Sequence, residues 1–239
     1  KISKILVGLF FVFSAIVLAL TLKGHFGNPT AAELREPYWT TDGPFELSPE
    51  RGRFALAYSM VNDKSVIFSL DLARFTTPDL GYKNGNYVSL FAPGVSFITS
   101  LGLMIGSFFG ASQLGAFSMV AMFALLNCYL IYRLARVIGI TTTAALLGAF
   151  TFLFATPAFV YGVTLYQHHF STALILLSLN LLVSSTSWFS LFLVWLLCAS
   201  SVPIDYPNAI LMIPIGIAAL SRIINFAKTK RAIVINLRP

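Results

Sequence analysis

Charge is what this sequence has least of. Of its 239 residues only 10% are Asp, Glu, Lys or Arg, against 57% hydrophobic, and the mean hydropathy is +0.81. Soluble domains carry charge on about a quarter of their residues, so these proportions exclude one and describe a polytopic membrane protein. Acidic residues are scarcer still. Eight of the nine, Glu33, Glu36, Asp42, Glu46, Glu50, Asp63, Asp71 and Asp79, fall between the first apolar run and the second, and Asp205 stands alone far downstream. The net charge of +7 does not point to nucleic acid, because the basic residues are scattered at segment ends and not gathered with aromatics on one face. Cysteine is nearly absent too. Cys128 and Cys198 both lie inside apolar runs, where a free thiol acts as a small hydrophobe, so neither a disulfide nor a metal site is expected.

What is present is a series of apolar runs, near 4–22, 90–110, 114–132, 142–160, 168–184, 187–200 and 207–225. The first, "KISKILVGLFFVFSAIVLALTLKG", has an apolar core of about 18 residues, enough to span roughly 30 Å of hydrocarbon. The sequence "LTLKGHF" after it is a poor cleavage site, so the run reads as a retained helix rather than a signal peptide. The chain starts without methionine and stops at "INLRP", as expected of a fragment of a longer protein.

Charge placement selects a topology. Seven crossings would put Arg133, Arg136 and the "AKTKR" tail on the same side as the acidic loop, against the positive-inside rule. If the Gly- and Ser-rich run at 90–110, opened by Ala92-Pro93-Gly94, lies in the interface or re-enters, six helices cross. Lys1, Lys4, Arg133, Arg136, Arg222, Lys228, Lys230, Arg231 and Arg238 then all face the cytoplasm with no acidic residue among them. The expected fold is therefore all-α: about six transmembrane helices, an interfacial helix, and a long structured extracytoplasmic first loop. The segments are a first transmembrane helix (1–22), the loop with its interfacial segment (23–113), a helical membrane bundle (114–225) and a basic cytoplasmic tail (226–239). The N-terminus and the tail are cytoplasmic, and the membrane is the plasma (inner) membrane. The same parity turns His168, His169 and Asp205 outward, toward the acidic loop.

The loop itself carries structural signals. In "SPERGRFALAYSMVND", Ser48 suits an N-cap, Pro49 the first helical position and Glu50 the first turn, where a helix dipole favours an anion. Phe54, Tyr58 and Val61 give an apolar stripe suited to a membrane surface. In "GYKNGNYV", Asn84-Gly85 between aromatic flanks is a strong hairpin signal. A loop of about 65 residues with its own helix and hairpin is functional more often than it is a linker.

Taken in order, "ERGRFALAYSMV", "DLARFTTPDLGYKNGNYVSLFAPG", "YGVTLYQHHFSTALILLSL" and "VPIDYPNAIL" resemble the GT-C membrane glycosyltransferases, in the group of the protein O-mannosyltransferases and aminoarabinose transferases. The likeness runs from residue 1 to about 225, the family's shared N-terminal membrane module, on degenerate motifs. It implies transfer of a sugar from a polyprenyl-phosphate carrier to an acceptor on the extracytoplasmic face, with a first-loop carboxylate as general base. The carrier sugar is the expected substrate, no cofactor is implied, and the implied partners are membrane lipids, the lipid-linked donor and other membrane subunits. Two positions depart from the pattern. The family commonly opens the loop helix with Asp-Glu and then Arg-Tyr, where this chain has Glu50-Arg51 and Arg53-Phe54. Phe91 stands where relatives often place a basic residue. These departures favour an alternative, a non-catalytic scaffold or subunit of a larger membrane complex; a small transporter would need charged or broken helices at midplane, which the runs lack.

Such a transfer needs a base for the acceptor hydroxyl, cations for the departing phosphate and an apolar groove for the carrier. Glu50 matches the motif position of the base, with Glu46 and Asp42 behind it; its plainer role is to complement its own helix dipole. Arg51, Arg53, Arg74, Lys83, His168 and His169 are candidate phosphate contacts, the cations being otherwise headgroup anchors or solvated charges. Adjacent histidines point to different faces of a helix, so one of the pair looks into the site. Asp205 between Pro203 and Pro207, and Tyr82 on the hairpin, are supporting candidates, and Asp205 would otherwise cap the last helix or pair with Arg51 or Arg53.

Overall fold

A computed structural model describes residues 2–40, 44–185, 187–227 and 232–235. Asp42, Lys1, Lys228, Lys230, Arg231 and Arg238, named above for the base and the cytoplasmic charge, lie outside the described residues. The chain is mostly helical. In order, α1 (Ile2–Thr21) leads into a 3₁₀ turn (Glu33–Arg35), α2 (Pro37–Thr40) and α3 (Ser48–Tyr58), which passes into a π-turn (Ser59–Asp63). Then come β1 (Ile67–Phe68), α4 (Leu70–Thr76), β2 (Leu80–Lys83), β3 (Asn86–Ser89) and α5 (Gly94–Ser107). The remainder is α6 (Ser112–Val137), α7 (Thr142–Phe154), α8 (Ala158–Gly162), α9 (His168–Ser184), α10 (Trp188–Ser201), α11 (Asn208–Leu211), α12 (Ile213–Ser221) and a ribbon of β4 (Ile224–Ala227) with β5 (Ala232–Ile235). Among the described residues two helices, Ser3–Thr21 and Ser112–Val137, are long and apolar enough to cross a membrane. Helices α5, α7, α9, α10 and the α11–α12 stretch are apolar but shorter.

The breaks have local causes. Pro157 separates α7 from α8, and Pro214 falls where α11 gives way to α12, because proline cannot donate into the helical ladder. The hairpin forms where expected: Asn84 and Gly85 take positive φ (52° and 82°) and connect β2 to β3 in a two-residue turn, with Tyr82 opposite Tyr87. The short β1 adds a third strand, order β1-β3-β2, which was not expected.

The loop is a compact layer seated on the helical bundle. Leu34, Phe45, Leu72 and Phe75 share one core with Val95 and Leu103 of α5, Phe117 of α6, Leu165 ahead of α9 and Phe170 within it. The expected surface stripe on α3 is corrected here: Phe54, Ala55, Leu56, Ala57 and Tyr58 are all buried in that core, so α3 is a central helix and not one lying on lipid. Its start shifts as well. Leu47 occupies the N-cap, and the hydroxyl of Ser48, expected there, donates instead to Asp79 Oδ2 at 2.5 Å.

Helices α5 and α6 form a tight hairpin because of glycine. A Cβ on Gly102 would lie 2.2 Å from the carbonyl oxygen of Gly115, and one on Gly115 would lie 2.1 Å from that of Gly102. Only hydrogen fits between these backbones, the small-residue packing that membrane helices use. At one end of α5, Gly94 N–H donates to Pro203 O at 2.6 Å; past the other, Gly27 N–H donates to Gly110 O at 2.7 Å. Both ends are thus held against segments read from charge as facing outward.

Candidate functional site

Glu50 sits at the third position of α3, and its carboxylate accepts three backbone N–H groups. Oε2 accepts the N–H groups of Glu46 (2.6 Å) and Leu47 (3.2 Å), closing one half of a capping box, and Oε1 accepts the N–H of Leu165 at 2.9 Å. The residue is 0% exposed. Burial pushes its pKa above the ordinary carboxylate value, and the three N–H donors oppose that shift without cancelling it. This geometry departs from the reading of Glu50 as an open base. The side chain ties the loop helix to the turn ahead of α9 and leaves no oxygen facing a substrate. Glu46, behind it, is exposed and paired with Lys23.

Three residues along α3, the arrangement opens. Arg53 is 6% exposed, yet among the described residues no carboxylate lies within ion-pair distance of it. Its Nη2 donates to Gln167 Oε1 at 2.6 Å, and Gln167 Nε2 donates to Asp205 Oδ2 at 3.2 Å. The guanidinium lies over the rings of Phe91 (4.9 Å) and Tyr166 (5.6 Å). Its Nη1 is buried and has no partner among the described residues. Burial draws the Arg53 pKa down, with Asp205, Tyr166 and Glu50 acting against it. Gly52 makes room for the Phe91 ring, which a Cβ there would meet at 2.9 Å. The departure at position 91 therefore has a structural role: an aromatic plate under the arginine.

His168 and His169 part company as adjacent helical residues must. His168 is exposed, feels the charge of Arg53, stacks with Tyr166 (5.8 Å) and lies tilted against Tyr161 (4.2 Å). His169 is buried; its Nε2 lies 2.8 Å from Ala158 O and so carries the hydrogen, leaving Nδ1 to accept from Asn127 Nδ2 at 3.0 Å. Both ring nitrogens are thus used inside the bundle. That corrects its reading as a phosphate contact.

The remaining candidates divide. Arg51 and Arg74 line a separate cavity together with Arg35. Lys83 and Tyr82 are exposed on the hairpin, with Tyr82 packed on Tyr87 at 5.2 Å. Asp205 is half-buried, reaches Arg53 only through Gln167, and caps no helix with its side chain. Sequence reasoning missed Tyr161, Tyr166 and Gln167 as site members. All three sit in or beside the polar stretch between two apolar runs, and that position was the available signal. Beneath Phe91, an apolar cleft of about 370 Å³ runs between Leu56, Met60, Val66, Phe97 and Tyr206. Among the described residues no group of three or more His, Cys, Asp or Glu side chains is placed to hold a metal ion.

Comparison of the chain with protein-family models, with curated proteins and with solved structures found no match.

Proposed function

We propose that this chain is the module of an integral membrane glycosyltransferase that takes a sugar from a polyprenyl-phosphate donor at the outer face of the plasma (inner) membrane. The observation that carries the reading is the unpartnered Nη1 of buried Arg53. A buried N–H without an acceptor costs about 1–3 kcal/mol, and a donor phosphate oxygen arriving there would remove that cost. His168, which feels the charge of Arg53, is a second donor, and the apolar cleft on the other side of Phe91 suits the first isoprene units of a carrier. In this reading Asp205 is the base: its second oxygen is not engaged by Gln167, and it takes the acceptor hydroxyl's proton as the sugar moves and the lipid phosphate leaves. Six crossings, with the N-terminus and tail cytoplasmic, are part of the proposal. Attachment of both ends of α5 to outward-read segments supports leaving α5 out of the count.

The test is photo-crosslinking with a polyprenyl-phosphate probe. Labelling is expected at Phe97 and Tyr206, reduced at least tenfold by excess unlabelled carrier and by Arg53→Gln. Labelling that persists under both conditions would remove the donor site. The second reading, a scaffold without catalysis, is favoured by one observation: the motif acid Glu50 is sealed by three backbone donors. Under it the probe still binds but Asp205→Asn leaves transfer by the assembled complex unchanged.

A further inference from the structure

We infer that the cavity between the 3₁₀ turn, α3 and α4 is a binding site for a phosphate-type oxyanion, separate from the Arg53 site. It holds about 450 Å³ and is lined by Arg35, Arg51 and Arg74, with Glu46 at its edge and Phe45 and Phe75 behind. Three guanidinium groups around one space repel each other, and two of the nearby carboxylates are already engaged. Glu46 is committed to Lys23, and Asp71 pairs with Arg35 alone, at 3.1 Å on an exposed surface where such a pair contributes little. Arg74 has no hydrogen-bond or ion-pair partner among the described residues. Arg51 spends one nitrogen on Thr77 O at 3.2 Å, while its Nε is buried and unpartnered. Planar guanidinium forks with free N–H groups match a tetrahedral oxyanion, which accepts two bonds from each fork.

The site cannot share its ligand with Arg53. Successive helical residues turn by about 100°, so Arg51 and Arg53 project from nearly opposite sides of α3. The contacts agree: Arg51 reaches Thr77 beyond α4, and Arg53 reaches Gln167 ahead of α9. The oxyanion is either free or the headgroup of a lipid, since the recognition chemistry is the same; binding here holds whether or not the chain transfers sugar.

The purified full chain in detergent is titrated with inorganic phosphate against chloride at matched ionic strength, with thermal unfolding as the readout. A saturable rise in Tm of about 3–6 °C near tenfold saturation is expected for the unaltered chain. Arg74→Gln and Arg35→Gln change exposed side chains, so they fold, and each should weaken the midpoint at least about tenfold by removing a charged donor. Lys64→Gln, an exposed cation of the same loop, should leave the midpoint in place. To separate the sources, dihexanoyl phosphatidic acid and dihexanoyl phosphatidylcholine are added below micelle formation. Tighter, Arg74-dependent binding of the former marks a lipid headgroup, and a response to inorganic phosphate alone marks a soluble anion; either supports the site. A shift equal in chloride, or one untouched by Arg74→Gln and Arg35→Gln but lost in Arg53→Gln, overturns it.

Discussion

Replacing Glu50 by glutamine separates a latch from a base. A glutamine oxygen can keep the donors from Glu46 and Leu47 or the donor from Leu165, while its NH₂ faces the other set, donor against donor. At least one buried backbone N–H is left unsatisfied, at about 1–3 kcal/mol. Removing a buried charge, whose pKa is raised by desolvation, works the other way and keeps the loss near the middle of that range. About 2 kcal/mol corresponds to a fall in Tm of roughly 4–8 °C for a chain of this size. Glu50→Ala loses all three acceptors and should fall further. The measurement is thermal unfolding in detergent, joined to hydrogen exchange at the Leu165 amide, which should exchange faster in both variants. The pH dependence supplies a second readout. Between about 4.5 and its raised native pKa, Glu50 holds more protons folded than unfolded, so its contribution to stability falls as pH rises through that window. Acidification through the native pKa should therefore raise the Tm of the unaltered chain relative to Glu50→Gln, which has no titration there. A Glu50→Gln chain with unchanged Tm and sugar transfer lowered by 10² or more would refute the latch and restore Glu50 as the base.

Three further outcomes are expected. In a background lacking Cys128 and Cys198, single cysteines at Phe109, Thr141, Ser187 and Tyr206 should label with an impermeant thiol reagent from outside, inside, inside and outside; labelling of Thr141 from outside would refute six crossings. Gly102→Val should cost about 3 kcal/mol or prevent accumulation, because its Cβ would meet Gly115 O at 2.2 Å, whereas Gly148→Val has nothing within 4 Å to meet; equal melting of the two would refute the backbone contact between α5 and α6. Asn127→Ala removes the donor to His169 Nδ1 and to its carbonyl, at 3.0 and 2.9 Å, and should lower stability by about 1–3 kcal/mol; an unchanged Tm would show that His169 is not held this way.

Several features follow from the residues in chain order. The apolar run read at 168–184 coincides with α9, and Asn84-Gly85 makes its hairpin, because hydrophobic periodicity and turn chemistry are local properties of the chain. The divergence of His168 from His169 was legible for the same reason, since it depends only on helical rotation. What neighbours those faces meet was not legible. Glu50 finds Leu165, Arg53 finds Gln167, and Gly94 finds the carbonyl of Pro203, all partners more than 100 residues distant in the chain. The tertiary structure decided that the motif acid is an acceptor for backbone donors while the arginine three residues on keeps a free one. It also divided one list of cations into two places, since Arg51 and Arg53 leave α3 on opposite sides and only packing determines what each side faces.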